Sequence, residues 1–308
     1  MKQFEGAKVL ITGAAGFVGH HLIDKLISMN ADVIGICRTE ASANRLALEF
    51  PEIRTISCDL SDTSNIQEKL AGIFPNYVFH GATVRDEKNW DYTYKVNGLG
   101  TGTLLSSVAS PHLKCFVNLG TSMVYQKKEG SFSESDTLKP YTHFGISKLS
   151  GEMLLSQIAL NTHVPLSLLR IFHVYGPGEP TKRLIPTVIR NLLANKPIRL
   201  TEKGFCHDFI YVEDVVNGCL QAAQKAEGVF NIGTGIETTN EEIVSMIGEI
   251  LGVTPEIIFG GYDNHIFDKK HWCANTQKSR EELGWEAKVQ VRQGLEKYVS
   301  WYLANNVS

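Results

Sequence analysis

The sequence of 308 residues predicts an α/β protein with a doubly wound parallel sheet and a smaller C-terminal lobe. Strand and helix patterns alternate through the first half, which is typical of a parallel sheet covered by helices on both faces. A glycine-spaced loop joins the first strand to the first helix. After about Ile171 the pattern changes, and the strong breakers of residues 176–180 follow. These observations predict a Rossmann-type domain over residues 1–171. Residues 172–308 are expected to form mainly a substrate-binding lobe, interleaved with the last elements of the sheet.

The individual elements follow from apolar runs for strands and from apolar residues at helical spacing for helices. The strands predicted in the first half are Lys8–Thr12, Asp32–Cys37, Ile53–Ser57, Tyr77–His80, Cys115–Gly120 and Leu166–Ile171. The helices predicted between them are Gly16–Met29, Ala41–Phe50, Thr63–Ala71, Tyr92–Ala109 and Phe144–Leu160. In the second half we expect helices near Leu184–Leu193, Val212–Gln224, Glu241–Leu251, Thr276–Leu283 and Val291–Ala304, and strands near Asp208–Tyr211 and Val229–Ile232.

Composition restricts the class of partner and the compartment. A net charge of −3 without a basic block argues against nucleic acid or a membrane surface as the main partner. Six scattered cysteines without a C-x-x-C pair fit reduced thiols in the cytoplasm better than disulfides. No apolar run approaches the length of a membrane span, and the chain enters its first strand too early for a signal peptide. We therefore expect a cytoplasmic protein with small-molecule ligands.

The glycine-spaced loop predicts a dinucleotide site. Gly13 allows the tight turn, Gly16 leaves room for a phosphate near the backbone, and Gly19 lets the helix lie close to the strand. The N–H groups of the first helical turn would then face a pyrophosphate. The cofactor contacts that we assign to this loop are Gly13, Ala15, Gly16, Phe17, Val18 and Gly19.

The end of the second strand favours NADP(H), with NAD(H) as the alternative. The acidic residue that usually binds the ribose of NAD is absent there, and Arg38 follows Cys37 instead. A guanidinium could pair with the 2′-phosphate of NADP, or Arg38 could be a solvated surface residue. Asp59, followed by Leu60, comes after the third strand, where it could reach the adenine or serve as a turn residue.

By these and later motifs the chain resembles the extended short-chain dehydrogenase/reductase family, which holds nucleotide-sugar epimerases, dehydratases and reductases. The likeness spans nearly the whole length and is more specific for the family than for the reaction. Its motifs are Thr12-Gly13-Ala14-Ala15-Gly16-Phe17-Val18-Gly19, Phe79-His80-Gly81-Ala82-Thr83, Val96-Asn97-Gly98-Leu99-Gly100-Thr101, Gly120-Thr121-Ser122-Met123-Val124-Tyr125, Ser147-Lys148-Leu149-Ser150-Gly151-Glu152, Arg170-Ile171-Phe172-His173-Val174-Tyr175-Gly176-Pro177 and Asp208-Phe209-Ile210-Tyr211-Val212-Glu213-Asp214.

The resemblance implies a catalytic hydroxyl residue, a tyrosine and a lysine. Thr121 and Lys148 fill the first and last positions, but the position four before the lysine is Phe144, which has no hydroxyl. In the family the lysine orients the nicotinamide ribose, and the phenol exchanges a proton with the substrate while hydride is transferred. Further cofactor contacts implied by the resemblance are Gly81, Ala82, Thr83, Leu119, Lys148, Ile171 and His173.

Three accounts of Phe144 stay open. The chain could be a variant in which tyrosine was replaced to trap a complex. Another acid could act in its place, with Tyr141 and His143 as neighbouring candidates. The protein could also bind a dinucleotide without turning it over, as a sensor or scaffold.

The residues around the expected substrate narrow the reaction. The family's 4,6-dehydratases have an Asp-Glu pair after the hydroxyl residue, whereas this chain has Ser122 and Met123, so dehydration is not expected. Histidines stand where the resemblance implies arginines or an asparagine, and their spacing matches no metal-site signature. We predict no metal. The residues assigned to the substrate are Ser122, Met123, His173, Arg183, His207 and His265.

The sequence therefore predicts an NADP(H)-dependent oxidoreductase that reduces or epimerises a keto group on a sugar, with a nucleotide-linked sugar favoured. The NADP-type pocket favours a reductase, because cells keep NADP pools reduced. The predicted helices Tyr92–Ala109 and Phe144–Leu160 would pair across a two-fold axis in a family-like homodimer, although burial within one subunit explains their apolar content as well.

Overall fold

The computed structural model describes residues 2–225, 227–261 and 270–306. Its first half contains β1 (Lys8–Thr12), α1 (Phe17–Ile27), β2 (Asp32–Cys37), α2 (Glu40–Glu49), β3 (Arg54–Ser57), α3 (Thr63–Leu70), β4 (Tyr77–His80), α4 (Trp90–Tyr94), a π-helical segment (Lys95–Gly100), α5 (Thr101–Val108), β5 (Cys115–Leu119), α6 (His143–Thr162) and β6 (Leu166–Ile171). Two 3₁₀ turns, Lys2–Phe4 and Ser122–Val124, accompany them.

The second half contributes one further strand to the main sheet and builds most of the smaller lobe. Its elements are β7 (His173–Tyr175), α7 (Leu184–Leu193), β8 (Ile198–Arg199), β9 (Cys206–His207), β10 (Phe209–Tyr211), α8 (Val212–Lys225), β11 (Gly228–Ile232), β12 (Thr238–Thr239), α9 (Asn240–Leu251), β13 (Ile257–Ile258), α10 (Gln277–Leu283) and α11 (Val291–Asn306).

In the described ranges the main sheet has seven parallel strands in the order β11-β6-β5-β4-β1-β2-β3. The predicted doubly wound parallel sheet is confirmed, and only the ends of the predicted strands are shifted. The chain order reverses beside β1, which has β2 on one side and β4 on the other. In such sheets ligands bind beyond the carboxyl ends of the strands at this reversal.

The predicted helix Tyr92–Ala109 is wrong in detail, because a π-helical segment interrupts it. A Cβ at Gly98 would lie 2.8 Å from Ser150 Oγ, and one at Gly100 would overlap the carbonyl of Leu60. The wider turn therefore brings the glycine backbone against two neighbouring segments. It also carries Asn97, whose side chain exchanges hydrogen bonds with the backbone of Val84, at 2.8 Å as acceptor and 2.7 Å as donor. Such π segments commonly mark functional regions.

The predicted strand Asp208–Tyr211 corresponds to β10, which begins one residue later, and a separate short strand, β9, ends just before Asp208. The buried Asp208 carboxylate accepts hydrogen bonds from the N–H groups of Thr234, Gly235 and Ala274 at 2.7–3.1 Å. The short strands β7, β8, β9, β12 and β13 were not predicted, since two or three residues are too few for a period-two pattern.

Three apolar clusters hold these layers together. One covers the sheet face under α1 and α8, around Leu22 and Val215, and a second lies under α3, α5 and α6, around Ile66 and Leu155. The third forms the core of the small lobe, with Ile189 among its members. Since β7 begins directly after β6, this lobe lies next to the carboxyl ends of the main sheet.

None of the described helices combines the length and apolar character needed to cross a bilayer.

A buried ion pair joins α6 to the sheet. Arg170 Nη2 on β6 lies 3.1 Å from Glu152 Oε2 on α6, and both side chains are about 4% exposed. We expect Arg170→Met to lower the free energy of unfolding by about 3–5 kcal/mol, because it leaves a buried carboxylate without its partner. Urea denaturation measures this change. As a control, Arg280→Met removes an exposed pair with Glu286 and should leave the unfolding curve unchanged. Equal effects of the two substitutions would contradict this interpretation.

Candidate active site

A cavity of about 450 Å³ opens beyond the carboxyl ends of β1, β2, β3 and β4, at the reversal of strand order. Its wall combines small residues of the β1–α1 turn, polar residues after β2 and β3, and the segment after β4. The lining residues are Gly13, Ala15, Gly16, Ile36, Cys37, Arg38, Thr39, Ala41, Ser42, Arg45, Cys58, Asp59, Leu60, Ala82, Thr83, Val84, Tyr92 and Val96.

The β1–α1 turn requires glycine for two separate reasons. Gly13 has a φ of +68°, and a Cβ there would lie 2.7 Å from both Gly81 C and Ala82 N of the neighbouring strand end. A Cβ at Gly19 would lie 2.7 Å from the carbonyl oxygen of Ala14. The helix therefore begins directly against the end of β1. Its first-turn amides have no intrahelical acceptor, and Gly16 before them has no side chain to cap them.

A buried hydrogen-bond chain fixes this turn to β4 and α5. Thr12 Oγ1 accepts from Ala82 N–H at 3.1 Å and lies 2.6 Å from His80 Nδ1, while His80 Nε2 lies 2.8 Å from Thr101 Oγ1. Burial, reinforced by the charge of Lys148, lowers the pKa of His80 to about 3. The imidazole is therefore neutral.

The far end of the cavity brings two arginines and one carboxylate together. Arg38 and Arg45 both line it, and both are exposed at the surface. Asp59 accepts hydrogen bonds from Tyr92 O–H at 2.9 Å and from Ser61 N–H at 2.8 Å. Burial by itself would raise the pKa of Asp59, but these hydrogen bonds and the charge of Arg38 hold it below its usual value. Asp59 thus acts as a turn residue and also lines the cavity, and its contact with the adenine stays a prediction.

Helix α6 presents Phe144 and Lys148 one turn apart. The Thr142 side chain caps the helix by accepting from Gly145 N–H at 3.0 Å. The buried Lys148 Nζ donates to the carbonyl of Leu119 at the end of β5, at 3.0 Å. Burial lowers the pKa of Lys148 to about 8, against the opposing effect of Glu152. Lys148 therefore carries its charge at neutral pH and loses it in mildly alkaline solution.

Thr121 follows β5 and begins the 3₁₀ turn. Its Oγ1 accepts from Met123 N–H at 3.2 Å, so the hydroxyl proton can be donated elsewhere. Ser122 is buried, and its hydroxyl accepts from Trp272 Nε1 at 2.8 Å, which engages it within the fold. Met123 is half-buried beside this turn.

The structure adds Arg85, which no sequence motif singled out. Its guanidinium carbon lies 5.4 Å from the centre of the Phe144 ring. Tyr141 is half-buried and precedes the helix cap, so it does not lie on α6. Burial raises the pKa of Tyr141 to about 12, although the nearby charge of Arg85 opposes the shift. Tyr141 and Phe144 thus share Arg85 as a neighbour, whereas the exposed His143 packs with the ring of Trp90 at 6.3 Å.

Two histidines face each other at the substrate side. The ring centres of His173 and His207 are 4.8 Å apart. Burial is the main reason why the pKa of His173 lies well below its usual value, and the charges of Arg183 and Arg85 act in the same direction. Arg183 Nη1 lies 3.4 Å from Glu179 Oε2, so part of its charge is matched within the protein. Four basic side chains therefore lie on this side of the site: Arg85, His173, Arg183 and His207.

The remaining predicted residues have different surroundings. Phe17 packs edge-on against His21 at the start of α1, and Val18 is half-buried beside it. Leu60, Ala82 and Thr83 line the cavity, and Gly81 contacts the β1–α1 turn. Ile171 is buried in the sheet core. His265 lies outside the described residues.

The residues present fit a dinucleotide. The small residues Gly13, Ala15 and Gly16 line the cavity next to the N-terminus of α1, which no side chain caps, and polar residues such as Arg38 and Asp59 line it beyond.

The chain matches the model of the NAD dependent epimerase/dehydratase family over residues 9–233. It belongs to this family. It is 29% identical, over 97% of its own length and 99% of the relative's, to a putative UDP-glucose 4-epimerase of Methanocaldococcus jannaschii. Because the family is NAD-dependent, the cofactor of this site belongs to the nicotinamide dinucleotides.

Solved structures give the same assignment. The UDP-glucose 4-epimerase of Thermotoga maritima, solved with UDP-glucose, has a TM-score of 0.87 and 27% identity, covering 96% of this chain and 99% of that one. A tyrosine-to-phenylalanine variant of the UDP-glucuronic acid 4-epimerase of Bacillus cereus, solved with UDP-4-deoxy-4-fluoro-glucuronic acid and NAD, has a TM-score of 0.84 and 28% identity, covering 96% and 98%. The expected membership of the extended short-chain dehydrogenase/reductase family is confirmed.

Gly13→Ala tests the geometry of the turn. Gly72 also has a positive φ, +75°, but a Cβ there would meet nothing within 4 Å. Gly72→Ala should therefore lower the free energy of unfolding by the backbone strain alone, about 1–2 kcal/mol. We expect Gly13→Ala to lower it clearly more, as measured by urea denaturation, and to abolish dinucleotide binding, because its methyl group overlaps the Gly81–Ala82 peptide. Equal destabilisation by the two substitutions, with binding retained, would show that the close approach is unimportant.

Proposed function

We propose that this protein is an NADP(H)-dependent oxidoreductase that reduces or epimerises a keto group on a nucleotide-linked sugar. The observation that carries the proposal is the position of Lys148. Its buried ammonium group is held by the Leu119 carbonyl at the carboxyl end of β5, two residues before Thr121 in the chain, and on the same helix face as Phe144. This is the arrangement needed to orient a nicotinamide ribose and a carbonyl group next to each other.

When bound, the nicotinamide would exchange a hydride with the sugar carbon. The chain's own residues orient the reactants and handle the proton. Lys148 donates hydrogen bonds to the ribose while it is protonated. Thr121, whose oxygen already accepts from Met123 N–H, directs its proton to the substrate oxygen and polarises the carbonyl.

The proton supply favours reduction over epimerisation in this chain. Reduction of a ketone needs one proton donated to the substrate oxygen, whereas epimerisation through a keto intermediate also needs a base to remove one. Phe144 can do neither. Tyr141, with its pKa raised to about 12 by burial, is protonated at neutral pH, so it holds a proton but the phenolate that could act as a base is absent.

The accounts of Phe144 differ in what a restored phenol would do. A tyrosine-to-phenylalanine variant of the Bacillus cereus relative holds both a UDP-sugar derivative and NAD. This supports the account in which phenylalanine at position 144 preserves binding while it removes the proton-transfer group. The competing proposal is a sensor or scaffold that binds the dinucleotide without turnover.

Phe144→Tyr separates these accounts. We expect it to raise the rate of NADPH oxidation with 4-keto-sugar nucleotides by about 10²–10⁴-fold, since it restores a proton-transfer group beside Lys148. Phe144→Leu is the control and should give no increase. No increase with tyrosine, in a protein that still binds NADPH, would favour the sensor.

Tyr141→Phe tests the second acid in the same assay. If Tyr141 supplies the proton, its removal lowers the residual rate of the original chain but hardly affects the Phe144→Tyr enzyme. A residual rate that is unchanged would exclude Tyr141 from this role.

The preference for NADP(H) is supported by the charges at the far end of the cavity. Arg38 and Arg45 line it together with the hydroxyl groups of Thr39 and Ser42, and the acid expected after β2 in an NAD site is absent. The Ser42 hydroxyl already donates to the Thr39 carbonyl in the cap of α2, so the two arginines are the groups that suit a 2′-phosphate, which accepts several charge-assisted hydrogen bonds.

We expect Arg38→Ala to weaken NADPH binding by about 10–100-fold and to leave NADH binding nearly unchanged, because one charge-assisted hydrogen bond is lost. Dissociation constants from fluorescence titration measure the ratio. Arg54→Ala, an exposed arginine on β3 outside the cavity lining, is the control. Tighter binding of NADH than of NADPH by the original chain would contradict the preference.

The substrate proposal is supported by the cations around Phe144. Arg85 and Arg183 lie near His173, and His207 packs against it, which provides hydrogen-bond donors suited to a diphosphate. Both compared structures contain UDP-sugars, bound to those proteins. A nucleotide diphosphate sugar is therefore the substrate class that we propose.

We further propose that two copies of the chain pair through the π-helical segment and α6. Large apolar side chains are exposed along these elements, including Leu99, Met153 and Leu160 at 57%, 66% and 70%. Exposed large apolar side chains on elements that pack together are typical of a subunit interface.

A cytoplasmic location is proposed from the cysteines, all six of which lie in the described ranges and are free and buried.

A further inference from the structure

Three side chains of metal-ligand type meet on the small lobe, away from the cavity. Cys206 lies on β9, Glu237 directly precedes β12, and His271 comes from the segment before α10. One potential ligand atom of each lies within 4.8 Å of the other two. His271 Nδ1 and Glu237 Oε2 are 3.3 Å apart.

Strand pairing, and not sequence spacing, brings these residues together. β9 and β12 pair in antiparallel fashion, with Thr239 opposite Cys206. The segment around Trp272 runs alongside, because Asp208 N–H donates to Trp272 O at 2.9 Å. Trp272 N–H in turn donates to Glu237 Oε1 at 2.9 Å, which orients the carboxylate and leaves its other oxygen directed at His271. The spacing in the sequence could not reveal this cluster, so none was predicted.

A thiol, an imidazole and a carboxylate form a ligand set that suits Zn²⁺ and related divalent ions. Bonds of about 2.0–2.3 Å around a tetrahedral ion place its ligand atoms about 3–4 Å apart, so small side-chain movements suffice here. Cys206 is buried, whereas His271 and Glu237 are exposed, so the position is open to an ion from solvent. Glu242 adds negative charge near Cys206, and the Lys270 carbonyl accepts from its thiol.

We propose that Cys206, Glu237 and His271 bind a divalent transition-metal ion of the Zn²⁺ class, with water completing its coordination. The thiol loses its proton to solvent when the ion binds. Adjacent residues of a strand point to opposite faces, so the ion lies on the reverse of the strand that presents His207 to the substrate side. The bound ion cross-links β9, β12 and the segment around Trp272. The proposal does not depend on the reaction catalysed at the cavity.

The experiment titrates the full chain, first treated with a chelator, with Co²⁺ and follows the thiolate-to-cobalt absorption band in the near ultraviolet. We expect one ion per chain, displacement by Zn²⁺, and a higher melting temperature with Zn²⁺ than without it. Cys206→Ser should lose the band and the thermal shift. Cys115→Ser, which changes a buried thiol in the sheet core, should retain both.

His271→Ala provides a second test at an exposed position where folding is not at risk. It should weaken Co²⁺ binding by at least about 10–100-fold, since even outer-shell partners of a metal contribute that much. The proposal is overturned if the original chain gives no thiolate band. It is also overturned if the band persists in Cys206→Ser or if His271→Ala binds Co²⁺ as tightly as the original chain. None of these results depends on NADPH binding or turnover, so they are independent of the proposed reaction.

Discussion

The architecture depends on one close approach of two backbones at the carboxyl edge of the sheet. Gly13 turns against the Gly81–Ala82 peptide with no space for a Cβ, and the Thr12 side chain receives the amide hydrogen of Ala82. This contact places the N-terminus of α1 at the point where the strand order reverses. Gly13, Ala15 and Gly16 line the cavity at this point.

Hydrogen bonds connect this contact to α5, and the loop after β4 connects it to α6, the helix that carries the candidate catalytic residues. The neutral His80 links Thr12 to Thr101 on α5, so the end of β4 is tied to the helix behind it. The loop after β4 then reaches α6, where the Glu87 carboxylate accepts from the N–H groups of His143 and Phe144 at 3.0 and 3.2 Å. A carboxylate at a helix N-terminus is stabilising. It also explains how Arg85, two residues earlier, comes to lie over the Phe144 ring.

The sequence predicted the fold well where local pattern decides the structure. Buried runs such as Tyr77–His80 and the glycine spacing after Thr12 have few alternative interpretations, and the strand ends agree closely. Prediction was less successful where contacts between distant segments decide. The π segment at Lys95–Gly100 brings Gly100 against Leu60, a contact between distant segments that no helical period reveals.

The candidate site shows the same division. Thr121 and Lys148 could be assigned because their motifs are local, and Lys148 indeed reaches the end of β5. Arg85 could not, since it belongs to no motif and its role follows from the loop that crosses the helix N-terminus. Ser122 was assigned to the substrate from its place beside Thr121, but Trp272, far along the chain, engages its hydroxyl.

We propose that backbone amides at the start of α1 anchor a nicotinamide dinucleotide across the carboxyl edge of the sheet. Isothermal titration calorimetry of the unmodified chain with the oxidised and reduced forms of both dinucleotides measures this binding. We expect saturable binding at one site per chain for at least one of the four. Absence of binding heat for all four at several temperatures, in a protein shown to be folded, would contradict it.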